Sequence, residues 1–113
     1  MTTNSPTDVF QAIAAPIRRE IIHTLALNGD QSISTLSRNY DISRQAVTRH
    51  IQVLEASGVV LVNKVGREQL CQLNAMALKE VQEWLSFYEQ FWDQKLDALG
   101  EYLQEAEKKA EDT

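Results

Sequence analysis

Ile42-Ser43-Arg44-Gln45-Ala46-Val47-Thr48-Arg49-His50-Ile51-Gln52-Val53-Leu54-Glu55-Ala56-Ser57-Gly58-Val59-Val60 is the stretch on which the fold turns. Val47, Ile51 and Leu54 recur at spacings of four and three, which is one stripe of an α-helix. Ser43 stands just ahead as a cap whose hydroxyl can accept from the free N–H groups of the first turn. Gly58 ends the run. The spacing therefore predicts a helix from about Arg44 to Ser57 with two unlike faces. One face is apolar, and the other carries Arg44, Gln45, Thr48, Arg49 and Gln52, all with hydrogen-bonding side chains.

Toward the N-terminus the chain reads as three further helices. Thr7 is positioned to cap a short one carrying Val9, Phe10 and Ile13. Pro16 stops that helix and suits the first turn of the next, which carries Ile17, Ile21 and Leu25 and ends at Asn28-Gly29. After Gln31-Ser32-Ile33, Ser34 is the expected cap of a third helix running to about Tyr40. Asp41-Ile42-Ser43 then breaks the chain ahead of the quoted helix.

Beyond Gly58 the period changes from 3.6 to 2. Residues 59–65 and 68–73 are β-rich runs on either side of Gly66-Arg67, the demand of a two-residue type II′ hairpin. Lys64 and Arg67 make its tip basic. From about Ala75 to Lys109 the chain reads as one long helix. Leu78, Leu85, Trp92, Leu99 and Ala106 repeat every seven residues, and Val81, Tyr88 and Tyr102 form a second seam with Lys95 as its polar member. Such a pattern argues for packing along a partner helix. Trp84, Phe87, Phe91 and Leu96 widen the apolar face.

The order helix, helix, helix-turn-helix, hairpin, long helix predicts a mainly α chain with a small β-hairpin (α+β). It is the architecture of a winged helix-turn-helix with a long C-terminal dimerisation helix. The whole of 1–113 is expected to be one such domain, with a DNA-binding core over 7–74 and the dimerisation helix over 75–110. In a helix-turn-helix the second helix enters the major groove. Gln45 has the chemistry to pair with adenine, Arg49 with guanine, and the Thr48 methyl can meet a thymine methyl. Ser43, Arg44 and the helix N-terminus suit phosphates. Gln52 completes the polar face, and Lys64 and Arg67 can reach the flanks.

The net charge of −5 is unevenly spread. Residues 38–75 set five basic side chains against three acidic ones, while residues 76–113 set four lysines against ten acidic residues. The mildly basic middle is where a nucleic-acid surface is expected. Hydrophobic content of 43 % and charged content of 24 % suit a soluble globular chain. The single cysteine, Cys71, excludes an internal disulfide and fits a reducing cytosol. No run is apolar enough to span a membrane, and the polar stretch 1–6 does not read as a signal peptide. The cytoplasm is the expected compartment.

The quoted stretch resembles the recognition-helix signature of the ArsR/SmtB family of bacterial repressors, close to S-x-x-x-V-S-x-H-L-x-x-L-x-x-x-G-L-V. Thr48 and Ile51 replace the commoner Ser and Leu, which keeps the hydroxyl and apolar roles. Pro16-Ile17-Arg18-Arg19-Glu20-Ile21-Ile22 and the wing ending Val65-Gly66-Arg67-Glu68 also match, so the resemblance covers about residues 7 to 80. The tail around Trp84–Asp93 is similar to a subgroup without the usual metal sites. The family implies a homodimer joined by its first and last helices, with Phe10, Ile13, Leu78, Val81, Leu85, Tyr88, Trp92 and Leu99 as interface candidates. It also makes His50 the family's recognition-helix histidine, either a half-buried packing residue or a phosphate contact.

Family metal sensors gather Cys or His ligands, often paired cysteines ahead of the recognition helix. Here Thr35–Tyr40 has none, and the last helix has no His. No metal and no cofactor is expected. Cys71 reads as an inward-facing small hydrophobe rather than a redox thiol. Arg18 and Arg19, in the first turn of a helix whose dipole disfavours cations, read as solvated or paired side chains, with DNA flanks as the other option. No Ser/His/Asp or Cys/His set and no phosphate-cradling glycine loop is present, so no catalytic residue is expected. A double-stranded DNA partner is the leading expectation, and a winged helix used for protein–protein contact is the alternative. Nothing in the sequence names a small-molecule effector.

Overall fold

A computed structural model describes residues 8–111 of the chain. In order it contains α1 (Val9–Ala12), α2 (Pro16–Asn28), β1 (Gln31–Ser32), α3 (Ile33–Asn39), α4 (Arg44–Ala56), β2 (Val60–Val65), β3 (Glu68–Leu73), a single 3₁₀ turn (Ala75–Leu78) and α5 (Lys79–Glu111). It is a winged helix-turn-helix in which α3 and α4 form the two-helix motif and the strands form the wing. The chain divides into two compact units after Val81.

Amphipathic helices converge on one core in the first unit. Val47, Ile51 and Leu54 of α4 are buried together with Ile21 and Leu25 of α2, Ile33 and Leu36 of α3, and Val59, Val60 and Cys71 at the base of the wing. Each large aliphatic side chain so buried contributes about 1.5–3 kcal/mol. Ala77, Leu78 and Val81 pack against the same core. The sheet has the order β1-β3-β2, antiparallel throughout, with Val65 opposite Glu68 at the hairpin and Gln31 opposite Cys71 on the other edge. Gly66 has φ of +64° while Arg67 keeps a negative φ, as a type II′ turn requires.

Several local expectations are corrected. Thr7 lies outside the described residues; Asp8 caps α1 through its carboxylate, which accepts from the Gln11 N–H at 2.9 Å. That helix is a single turn, so Ile13 is its C-cap and not a helical residue. The third helix is capped by Ser32 and not Ser34, and it ends at Asn39. Ser32 accepts from the Thr35 N–H at 3.0 Å, which lets Ile33 enter the core directly. The wing is a three-stranded sheet instead of a hairpin, because the two residues of β1 pair with β3. The long C-terminal helix begins at Lys79, after the 3₁₀ turn that occupies its expected first residues.

The junction between α4 and the wing is held tightly. Gly58 N–H donates to the Glu55 carbonyl and Val59 N–H to the Leu54 carbonyl, both at 3.0 Å. This is a Schellman ending, with the buried pair Leu54 and Val59 as its apolar contact. Asn74 closes the far end: its backbone N–H donates to the Val59 carbonyl at 2.8 Å and its amide to the Gly58 carbonyl at 2.9 Å. Gly58 sits at φ of +84° with open space where a Cβ would stand. Gly58→Ala is therefore expected to cost only the left-handed backbone penalty, about 1–2 kcal/mol. Urea denaturation should show a lower midpoint with an unchanged slope.

Candidate nucleic-acid interface

Burial of Val47, Ile51 and Leu54 fixes the rotation of α4, and the rotation decides which side chains face outward. Arg44, Gln45, Arg49 and Gln52 are exposed and Thr48 is half-buried. The five together line one shallow concavity. Ser43, also exposed, spends its hydroxyl on the Ala46 N–H at 3.1 Å. It is thus confirmed as the N-cap, and the first turn of α4 lies open at the solvent side, where N–H groups and the helix dipole favour anions.

Lys64 and Arg67 are exposed on the wing. The structure brings Lys64 to α4: it lines a cleft with Thr48, Gln52 and Glu55 of that helix and with Val62 and Gln69 of the wing. Arg67 stands at the hairpin turn. Gln69 and Glu55 were not singled out from sequence. The strand register holds the signal for the first of them, since Lys64 lies directly opposite Gln69.

His50 occupies a different side of α4. At about 100° per residue it points about 160° away from Thr48 and Gln52. It meets Arg18, whose Nη1 donates to the imidazole Nδ1 at 3.2 Å. The same guanidinium donates from Nε to the Ala12 carbonyl and from Nη2 to the Gln11 carbonyl, the latter at 3.1 Å. Arg19 donates from Nη1 to the carbonyls of Ile13, at 2.7 Å, and Ala14, at 3.1 Å. The two arginines thus hold carbonyls at the C-terminal end of α1 and just beyond it, where cations are favoured. Burial, then Arg18 and then Arg49 hold the His50 pKa below the usual imidazole value.

A family model described as winged helix-turn-helix DNA-binding matches residues 15–60. The HTH-type transcriptional regulator Rv2034 of Mycobacterium tuberculosis (strain ATCC 25618 / H37Rv) is 31 % identical over 112 residues, 99 % of this chain and 98 % of that protein. The transcriptional repressor SdpR of Bacillus subtilis (strain 168) is 27 % identical over 78 residues, covering 69 % of this chain and 86 % of that one. The crystal structure of an ArsR family transcriptional regulator matches with a TM-score of 0.66 and 31 % identity, over 74 % of this chain and 86 % of that one. The chain belongs to the ArsR family.

Cys71 is fully buried, and burial, with the negative charge of Glu55 adding to it, pushes its thiol up to about 11. At neutral pH it is a protonated, inward-facing residue, as its place in the sheet suggested. His23 is exposed on α2. Among the described residues, no three His, Cys, Asp or Glu side chains gather in a way that could hold a metal ion. No helix among them is long and apolar enough to cross a membrane.

The lowered His50 pKa has a consequence for stability. The unfolded chain takes up the proton first, near the ordinary value of about 6.5. The stabilisation is therefore complete above that pH, is lost as pH falls through it, and levels off below the folded-state value. Urea midpoints should drop between about pH 7.5 and pH 5.5, and His50→Gln should lessen the drop; an equal drop in both proteins would refute the assignment.

Proposed function

We propose that this regulator is a homodimeric repressor, working in the cytoplasm, that reads an imperfect inverted repeat in double-stranded DNA. It is a binding protein and not a catalyst. The observation that carries the reading is the polar face of α4, held outward by a fully buried apolar stripe and flanked by a basic wing. Gln45, Thr48 and Arg49 address base edges, with Arg49 to guanine and Gln45 to adenine. Gln52 extends the same face. Ser43, Arg44 and the open first turn of α4 hold phosphates, and Lys64 and Arg67 reach the flanking backbone. The name of the Bacillus subtilis relative supports repression.

The dimer forms through α1 and α5. Leu85, Tyr88, Trp92 and Leu99 form the seam of α5, with Phe10 from α1 and Ile13 at its C-cap; Leu78 and Val81 also serve the chain's own core. From Trp84 onward large apolar side chains are exposed in the single chain, among them Trp92 at 50 % and Leu99 at 52 %. Trp84, Tyr88, Phe87 and Phe91 stack along the helix with ring centroids 5.0–6.4 Å apart. Apolar area of this extent is not left in water by a small soluble chain. Light scattering at micromolar concentration is expected to give the mass of a dimer, and Leu85→Glu together with Trp92→Glu should shift it to a monomer. A wild-type monomer would refute the assembly.

Binding is tested by fluorescence anisotropy with the DNA upstream of the chain's own gene, against a shuffled duplex. Preferential binding that weakens steeply with salt is expected. Arg49→Ala should cost about 1–3 kcal/mol on the preferred duplex and relax the preference. Unchanged affinity in Arg44→Ala, Gln45→Ala and Arg49→Ala would remove α4 from the interface and leave a protein partner for the winged helix.

A further inference from the structure

The contacts of Arg18 are more specific than helix capping needs. Its Nε and Nη2 take two successive carbonyls at the end of α1, while Nη1 turns the other way, to the Nδ1 of His50 in the middle of α4. One planar cation in the first turn of α2 therefore bonds both the helix before it and the helix that presents the polar face. A guanidinium never acts as an acceptor. The bond to Nδ1 thus exists only while that nitrogen carries no proton, which makes His50 neutral with its hydrogen on Nε2. The charged groups bearing on the imidazole are Arg18 from α2 and Arg49 from α4 itself, and both oppose a second proton. From α1 it is the carbonyls of Gln11 and Ala12 that face the guanidinium.

We infer that Arg18 is a positioning residue for DNA reading, tying α4 to the end of α1 through the neutral imidazole of His50. The inference rests on α4 being the DNA-reading helix. It gives His50 a role other than phosphate contact, and the two roles differ in sign. If His50 touched phosphate, a proton on it would strengthen binding. As the acceptor of Arg18 it loses its bond when protonated, and a cation then faces a cation. Acidification therefore loosens α4 and weakens binding. Gln at position 50 keeps a neutral acceptor at every pH, and Lys at position 18 keeps the charge but loses the fork that reaches three acceptors at once.

The test has two independent readouts on the full chain. The ¹⁵N imidazole spectrum of the free protein reports the tautomer of His50. Anisotropy reports affinity for the preferred duplex from about pH 7.5 to about pH 5.5. The expected result is an Nε2–H tautomer at the higher pH, with wild type and His50→Gln binding within about two-fold of each other. At the lower pH the wild type should bind more weakly than His50→Gln by a factor below about ten, the limit that an imidazole of ordinary pKa would set there. Arg18→Lys should bind more weakly than wild type at the higher pH and lose most of the response to acid; its far-UV circular dichroism checks that it is folded. His23 is common to wild type and His50→Gln, so their ratio isolates His50. An Nδ1–H or cationic imidazole at the higher pH would overturn the tether whatever the DNA result. The correct tautomer with affinity that rises or stays level on acidification, relative to His50→Gln, would overturn the positioning role and favour phosphate contact. The correct tautomer with no duplex preference in the wild type would overturn the DNA reading, and the positioning role with it, while leaving the tether standing.

Discussion

The polar surface that α4 presents depends on the burial of Val47, Ile51 and Leu54. A helix of 13 residues has little stability of its own in water, so α4 exists because this stripe is buried. Burial also fixes the rotation of the helix about its axis. A turn of one residue, about 100°, would carry Arg49 off the exposed side and drive a polar group into the core. The polar face is therefore a consequence of the apolar one. The Schellman ending at Gly58 carries the same constraint into the wing, since Leu54 and Val59 share one contact and Asn74 ties the exit of the wing to its entrance.

Charge placement follows a second logic. The chain carries a net charge of −5, yet arginine concentrates at helix ends and on the outer face of α4. Arg18 and Arg19 look misplaced in the first turn of α2, where the local dipole repels them. The chain turns between the two helices so that the end of α1 faces the start of α2, and carbonyls of residues 11–14 become the partners of both guanidiniums. Two locally unfavourable ends thus satisfy one another. Lys64 follows a related pattern, since strand alternation turns it with Val62 toward α4 and places a cation beside Gln52 and Glu55.

What could be read from the sequence follows the range of the interaction. The period of α4, the turn at Gly66-Arg67 and the stop at Gly58 are local, and the structure bears them out. The choice between Ser32 and Ser34 as cap is not local. Both residues qualify alone, and the decision comes from Ile33 entering the core while Gln31 and Ser32 pair with a strand some forty residues later. A strand of two residues has no period to detect. The first turn after the wing failed for a similar reason: Asn74 is spent on Gly58 and Val59, which leaves residues 75–78 to close as a 3₁₀ turn before α5 starts. On the polar face, Arg44, Gln45, Thr48, Arg49 and Gln52 were legible because exposure follows from the period. The tie from Arg18 to His50 was not, because it links residues 32 apart and depends on how two helices cross.

The acidity of the last third has a place in the same physics. Residues 76–113 carry four lysines and ten acidic side chains. A duplex approaching such a chain is repelled by this segment and attracted by the one before it, where basic side chains outnumber acidic ones. Uneven charge thus narrows the orientations in which a phosphate backbone can be met, before any hydrogen bond forms. The apolar positions of α5 act in the same direction. Leu85, Trp92 and Leu99 lie on one seam among those acidic residues, so burying the seam leaves the carboxylates on the remaining surface of the helix. On the proposed reading, the acidic segment thus adds to selectivity through charge alone, from a helix that presents no chemistry of its own to a base.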